Sequence, residues 1–433
     1  MPLDQAIPVN DVKDLQPLID RLSKARVVML GESTHGTHEF YEWRRMISEW
    51  LVVKHGFRII AVEGDWPPCQ QLNRFVRSPL RGEVKDALLG FKRWPTWMWA
   101  NSEVIRLAEW MQSHNSRLPE TRMVGFHGLD VYSLFESIDE VLGRLEDLNP
   151  FLARRARKHY SCFDPAGRNE KSYARGLLRG LPGCEDEVVE ILQELLQVRL
   201  DSRGSEAPGR ERFDVFDLQQ NGRVIRNAES YYRALVHADE MSWNVRDRHM
   251  LETLEHLLEV YGDRSKAIIW AHNTHVGDYR ATDMARAGLV NLGGLAREKL
   301  GSDQVALVGF GTYEGSVVAA HAWDGPSQVF PVPPAQEGSV EALMHAAALG
   351  KGVSRLVWML DPGGEDGFWS VIRGQRAIGV VYDPEHELRT HYVPTSLSRR
   401  YDAFFFCDRT RALEPRVQDF EPRQMPETWP TGA

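Results

Sequence analysis

Cysteine is scarce: the 433-residue chain has 4. Cys69, Cys162, Cys184 and Cys407 stand far apart, and no pair has CxxC spacing. That excludes a dense disulfide framework and a structural zinc site, so free thiols in a reducing compartment are expected. Long apolar runs are also missing. No stretch of roughly 18 apolar residues occurs, so no membrane partner is expected. The opening Met1-Pro2-Leu3-Asp4-Gln5 has neither the basic nor the apolar part of a secretory leader. A cytoplasmic protein is the expectation. There is no basic stripe either. The 52 Lys and Arg against 61 Asp and Glu give a net charge of −9, which argues against nucleic acid as a main partner. Four catalytic or binding signatures are absent as well: GxGxxG after a strand, GxxxxGK[ST], HExxH and GxSxG. Their absence argues against a dinucleotide site, a P-loop, a zincin and a serine-hydrolase elbow.

What remains is ordinary globular composition, 42% hydrophobic and 26% charged. The length fits two or three domains, or one large α/β domain with an insertion. The informative pattern is a repeated event in which a short apolar run stops abruptly at reactive side chains. Val27-Val28-Met29-Leu30 runs into Gly31-Glu32-Ser33-Thr34-His35-Gly36. Ile59-Ile60-Ala61-Val62 runs into Glu63-Gly64-Asp65-Trp66, and Val124-Gly125-Phe126 into His127-Gly128-Leu129-Asp130. Ile268-Ile269-Trp270-Ala271 runs into His272-Asn273-Thr274-His275, and Val305 to Phe310 into Gly311-Thr312-Tyr313. Such runs read as buried strands.

Between the first two lies a helical stripe of Phe40, Trp43, Ile47, Trp50 and Leu51, so strand, helix and strand form a βαβ unit. The fold class expected is α/β: a mainly parallel sheet flanked by helices, with a helical insertion forming part of the cleft. Residues 1–136 and 264–412 make the two parts of the core, 137–263 the insertion and 413–433 a proline-containing tail. Further strands are expected at 355–360, 377–382 and 403–406, and a loop at 203–209. In an open parallel sheet, ligands bind beyond the carboxyl ends of the strands. If the strands are neighbours, Glu32, His35, Glu63, His127, Asp130, His272 and His275 converge there.

Each group has a structural reading beside the functional one. Glu32 and His35 suit a general base with its partner; equally, they fit a capped helix start with Glu32 as surface charge. Gly31 and Gly36 suit a sharp turn and close approach of a ligand. His272 and His275 suit a metal, or one imidazole in the cleft and one bonded to backbone. Glu63 ends a buried strand, where a carboxylate needs a function or, on the structural reading, an ion pair with an arginine. Trp94, Trp97 and Trp99 read as an aromatic wall or as core. Tyr232 and Arg246 belong to polar, aromatic helical stretches that are unlike a surface helix; the structural reading there is a hydrogen-bonded junction between insertion and sheet.

Taken in order, GESTHGTHEF (31–40), AVEGDW (61–66), RWPTWMW (93–99), GFHGLDVYSL (125–134), YYR (231–233), WNVRDRHM (243–250), WAHNTHVGDYRAT (270–282), NLGGLARE (291–298) and GFGTYEGSV (309–317) resemble the erythromycin esterase family. The resemblance runs from about residue 10 to 412. It implies a metal-independent, cofactor-free hydrolase that opens the lactone ester of a macrolide with water activated by the motif histidine, here His35. Glu32, Glu63, His272 and His275 match the family's other catalytic positions. Arg44 matches an arginine on the following helix. Substrate-binding candidates are Arg44, Trp97, Tyr232 and Arg246, and the expected partner is a small-molecule ester.

The chemistry is consistent with that. A free imidazole titrates near ~6.5, and a carboxylate neighbour fixes its tautomer as the proton arrives. Two other readings remain at this point. One is a metal-dependent hydrolase using zinc or iron held by Glu32, His35, Glu63, His272 and His275. The other is a binding protein that keeps the pocket without turnover.

Overall fold

A computed structural model describes residues 5–78, 82–198, 209–236, 241–361 and 367–416, with the side chains of 209–212 undescribed. The expected loop at 203–209 lies outside the described residues except for Gly209, and so does the tail beyond 416.

Among the described residues eleven strands form: β1 (Ile7–Pro8), β2 (Val27–Leu30), β3 (Ile59–Asp65), β4 (Gly125–Asp130), β5 (Ala267–Trp270), β6 (Val305–Ala319), β7 (Gln328–Val332), β8 (Arg355–Met359), β9 (Arg373–Arg376), β10 (Tyr392–Thr395) and β11 (Ala403–Thr410). Nine make one sheet in the order β1-β8-β11-β6-β2-β5-β3-β4, with β7 on β6. From β11 to β4 every pairing is parallel; β1, β7 and β8 pair antiparallel. The expected mainly parallel sheet flanked by helices is the fold observed.

The central strands β2 and β5 and the first residues of β3 and β6 are apolar on both sides because both faces are covered. Alternate residues point to opposite sides. Val28, Leu30, Ile60, Val62, Ile268 and Trp270 pack under helices His38–His55, Trp66–Arg77 and Ser102–Asn115. Val27, Met29, Ile59, Ala61, Ala267 and Ile269 pack under helices Met241–Tyr261, Leu292–Leu300 and Val340–Lys351. Each fully buried aliphatic side chain contributes roughly 1.5–3 kcal/mol, so this double-sided core anchors the strand ends. A third core belongs to the helices between β4 and β5. There Val188, Ile191, Leu192 and Leu195 are buried, while Val189 and Leu196 face outward.

Two expectations are corrected. Cys162 and Cys184 are joined in a disulfide with Cα atoms 5.8 Å apart, while Cys69 and Cys407 are free and buried. The pair meets because the helical segment doubles back between a 3-10 turn (Ser161–Ala166) and the start of helix Glu185–Gln197. Residues 377–382 form no strand. They touch the sheet through isolated bridges, Thr34 to Ile378 and Ala320 to Val381. Among the described residues, no helix is long and apolar enough to cross a membrane.

The order places β2 at the centre, with β5 on one side and β6 on the other. The chain therefore crosses over β2 between β5 and β6. This is a switch point in strand order, where the carboxyl-end loops part and leave a crevice.

Candidate active site

The loop after β2 is tied down on three sides. Gly31 N donates to Val308 O on β6 (2.8 Å), Asn273 N to Glu32 O (2.8 Å) and Ile378 N to Ser33 O (2.7 Å). The motif glycines serve this packing. A Cβ on Gly31 would lie 2.1 Å from Asn273 Oδ1, and one on Gly36 would lie 2.0 Å from the Val318 carbonyl oxygen. Close approach of the protein's own chain, rather than of a ligand, is what requires them. Gly36→Ala is expected to cost about 1–3 kcal/mol through this clash and to lower activity by displacing His35. A urea midpoint equal to wild type would contradict that.

Glu32 is fully buried, not a surface charge. Its Oε2 accepts from Arg44 Nη2 at 2.6 Å, and its Oε1 lies 3.1 Å from His35 Nδ1. Arg44 is itself fully buried, its guanidinium over the rings of Tyr41 (4.5 Å) and Trp270 (4.9 Å). The charge is thus neutralised from behind, and one carboxylate oxygen is left to orient the imidazole. With Nδ1 engaged, His35 presents Nε2 to the cleft that it lines.

A second network adjoins the first. Glu63 Oε1 accepts from Arg246 Nη2 (2.7 Å), and Glu63 Oε2 accepts from the His272 amide (2.8 Å). Arg246 also grips Asp130, with Nε on Oδ1 at 2.9 Å and Nη2 on Oδ2 at 2.7 Å. His275 Nε2 stands 3.3 Å from Glu63 Oε1, and its Nδ1 is 2.9 Å from both Asp247 oxygens. Trp243 stacks flat on the His275 ring, 4.5 Å between centroids. Burial raises the Glu63 carboxyl, but His275 and Arg246 outweigh it and hold the group well below the usual range. Burial lowers His275, but Asp247 and Glu63 more than offset it and raise it to about 9. His272 is pushed well below 6.5 by burial and by His35. Its Nδ1 lies 2.8 Å from the Thr274 hydroxyl and accepts from the Thr274 amide at 3.4 Å.

The sign of the His275 contribution follows from the raised value. Stabilisation is complete below the unfolded value near ~6.5 and is lost as pH rises through about 9. Wild-type stability is expected to fall across that window by on the order of 3 kcal/mol, and Asp247→Asn to flatten the fall. A pH-independent urea midpoint between these limits would contradict the assignment.

The cleft above these groups encloses about 920 Å³, its open mouth included. Its floor has His35, Glu63, Asp130 and Arg246; its walls include Asp65, Arg93, Trp94, Trp99, Tyr132 and Trp323. The remaining sequence candidates sit elsewhere. Glu32, Arg44, His272 and His275 form the layer beneath, and Arg44 does not reach the cleft. Trp97 lies in the core under the sheet. Tyr232 is buried and donates to the Tyr132 carbonyl at 3.0 Å, bracing a wall residue instead of forming the wall. His127 points away, bonded to Gln70 (2.9 Å) and Tyr261 (2.9 Å), and burial lowers it to about 3.

Sequence reasoning gave no role to Asp247, Trp243, Tyr132 or Arg93. Asp247 had a signal: it shares with Trp243, Arg246 and Met250 the face of helix Met241–Tyr261 that apolar residues normally fill. Among the described residues, no group of three or more His, Cys, Asp or Glu is arranged to hold a metal ion. The carboxylates are instead engaged by Arg44 and Arg246.

A Bacillus subtilis (strain 168) protein named "Putative hydrolase YbfO" is 23% identical over 376 residues, 80% of this chain and 77% of that one. The Escherichia coli protein "Erythromycin esterase type II" is 21% identical over 330 residues, 72% of this chain and 75% of its own. Among solved structures, a succinoglycan biosynthesis protein superposes with TM-score 0.76 at 19% identity, covering 96% of this chain and 97% of that one. A point mutant of the erythromycin esterase EreC in its open conformation superposes with TM-score 0.67 at 14% identity, covering 92% and 94%. The profile of the family described as Erythromycin esterase matches residues 52–410, and on that match this chain belongs to the erythromycin esterase family and is a hydrolase.

Proposed function

We propose that this hydrolase cleaves a carboxylic ester with a water molecule activated by His35. The observation that carries the reading is the Glu32–His35 pair at the floor of the cleft, with Nδ1 on the carboxylate and Nε2 toward the cavity. A base held this way takes a proton from water as the water attacks the ester carbonyl, and Glu32 stabilises the resulting imidazolium. The tetrahedral oxyanion needs a cation close by. Arg246 lines the cleft beside His35, and loss of one such donor costs about 3–4 kcal/mol of the barrier. Glu63 and Asp130 fix that guanidinium, and His275 with Asp247 fixes Glu63. His35, Arg246 and Glu63 border the cavity; Glu32, Arg44, His272 and His275 act through them. The aromatic wall suits a bulky, largely apolar acyl or alkyl portion.

The relative named erythromycin esterase type II makes a macrolide lactone the first ester to assay. Mass spectrometry of erythromycin incubated with the protein is expected to show the gain of one water. An unchanged macrolide would remove that substrate and leave a panel of simple esters to test the class. Because the carboxylates are engaged by arginines, the reaction is proposed to need no metal. Turnover is then expected to survive prolonged chelation, and its loss on chelation with recovery on added zinc would overturn this.

A further inference from the structure

Asp65 closes β3 and is the N-cap of helix Trp66–Arg77, yet its side chain makes no capping hydrogen bond. An N-cap carboxylate ordinarily accepts from the amide two or three residues on. Those positions are Pro67 and Pro68, which have no N–H to give. The helix start therefore releases the carboxyl, which lines the same cleft as His35 and Glu63. The side chain is 10% exposed, and Oδ2 lies 3.0 Å from Arg93 Nε. Oδ1 is buried with no hydrogen-bond partner. A charged oxygen left so is costly, whereas a protonated one is a donor waiting for an acceptor.

We propose that Asp65 is a second catalytic residue, the acid whose carboxyl proton passes to the alkoxide leaving the ester. The proposal rests on the reading of this cleft as an ester hydrolase. Water gives a proton to His35 and its oxygen bonds to the carbonyl carbon. Collapse of the tetrahedral intermediate breaks the C–O bond to the alcohol portion. The departing oxygen takes the Asp65 proton, and the His35 proton returns to Asp65 through water. Ester and water become acid and alcohol with no further reactant.

The surroundings of Asp65 favour the protonated form. Arg93, its one close cation, is shared with Glu136 (3.0 Å) on helix Leu134–Leu148 and Glu170 (2.9 Å) on helix Glu170–Leu178. Asp130 is its register partner on β4, and Cys69 on its own helix is a buried thiol pushed well up by burial and by Asp65 and Asp130. Burial, with Asp130, Glu136 and Glu170 set against Arg93, raises Asp65 to about 7. Glu63, two residues earlier on the same strand, is held well below the usual range. Two carboxyls driven apart in this way take opposite roles, one a fixed anion and the other an acid.

The test compares an alkyl ester with its p-nitrophenyl counterpart, whose leaving group departs without a proton. Asp65→Asn is expected to slow the alkyl ester by at least about 100-fold and the nitrophenyl ester by no more than about threefold. For wild type, kcat/KM on the alkyl ester is expected to fall as pH rises through about 7, with no such fall for the nitrophenyl ester. That wild-type comparison decides the matter even if the variant does not fold. Equal slowing of both esters, no slowing of either, or the same alkaline limb for both would overturn the proposal alone. A wild type that hydrolyses neither ester would sink the reading of the cleft, and the acid with it.

Discussion

His35→Gln is expected to lower ester turnover by about 10²–10⁴-fold, the usual loss with a general base. Its effect on folding should be small for a reason visible in the geometry. The imidazole is 5% exposed at the floor of the cleft, not at its mouth, so the substitution is felt. Gln nevertheless keeps a donor within reach of Glu32 Oε1, where His35 Nδ1 now stands at 3.1 Å. Losing the better of two hydrogen bonds costs only about 1 kcal/mol. Alkyl and nitrophenyl esters should slow alike, because activation of water precedes departure of either leaving group. That separates His35 from Asp65. Near-normal turnover by a folded His35→Gln would move the chemistry to another cleft residue.

The sheet was legible because its strands obey one rule. Five apolar runs buried on both faces lie side by side in the sheet, and four of them stop at polar residues near the carboxyl edge; the fifth differs, since β6 continues past Gly311-Thr312-Tyr313 to Ala319. The helix after β2 was legible from its apolar stripe. The same stripe held a clue that periodicity hides: Arg44 occupies a core-facing position between Phe40 and Ile47–Ser48, and it is the cation beneath Glu32. Which tryptophan faces the cleft was not legible. Trp94, Trp97 and Trp99 lie in an irregular stretch without a period, and the outer two line the cavity while Trp97 is core. β9 escaped notice because Arg373-Gly374-Gln375-Arg376 has no apolar alternation; among the described residues its strand partner is β10. The apolar run just after it, from Ala377, misled in the opposite sense. The Cys162–Cys184 pair depends on how a helical segment folds back, and no local spacing records that. His127 shows the limit of reading strand ends, since one residue of offset within β4 turns its ring away from the cleft.

Arg246→Met tests the part of the site that links stability to chemistry. One guanidinium, 4% exposed, satisfies Glu63 and Asp130 together. Removing one partner of a buried ion pair leaves the other charge uncompensated, at a cost of about 3–5 kcal/mol. That is the expected loss in urea unfolding at pH 7, and ester turnover should fall with it. The pH dependence has a definite sign. In the wild type the Glu63 carboxyl is depressed, so its contribution is present above the unfolded value near ~4.3 and is lost as pH falls toward the folded one. Without Arg246 that depression shrinks, Glu63 takes up a proton at higher pH, and the penalty of the variant should be smaller at pH 5 than at pH 7. Adding Glu63→Gln to Arg246→Met removes one of the stranded charges and should recover part of the stability but none of the turnover. A loss below about 1 kcal/mol at pH 7 would mean that water, not Arg246, satisfies these carboxylates. The double variant recovering activity would show that Arg246 serves the fold and that the oxyanion is met elsewhere.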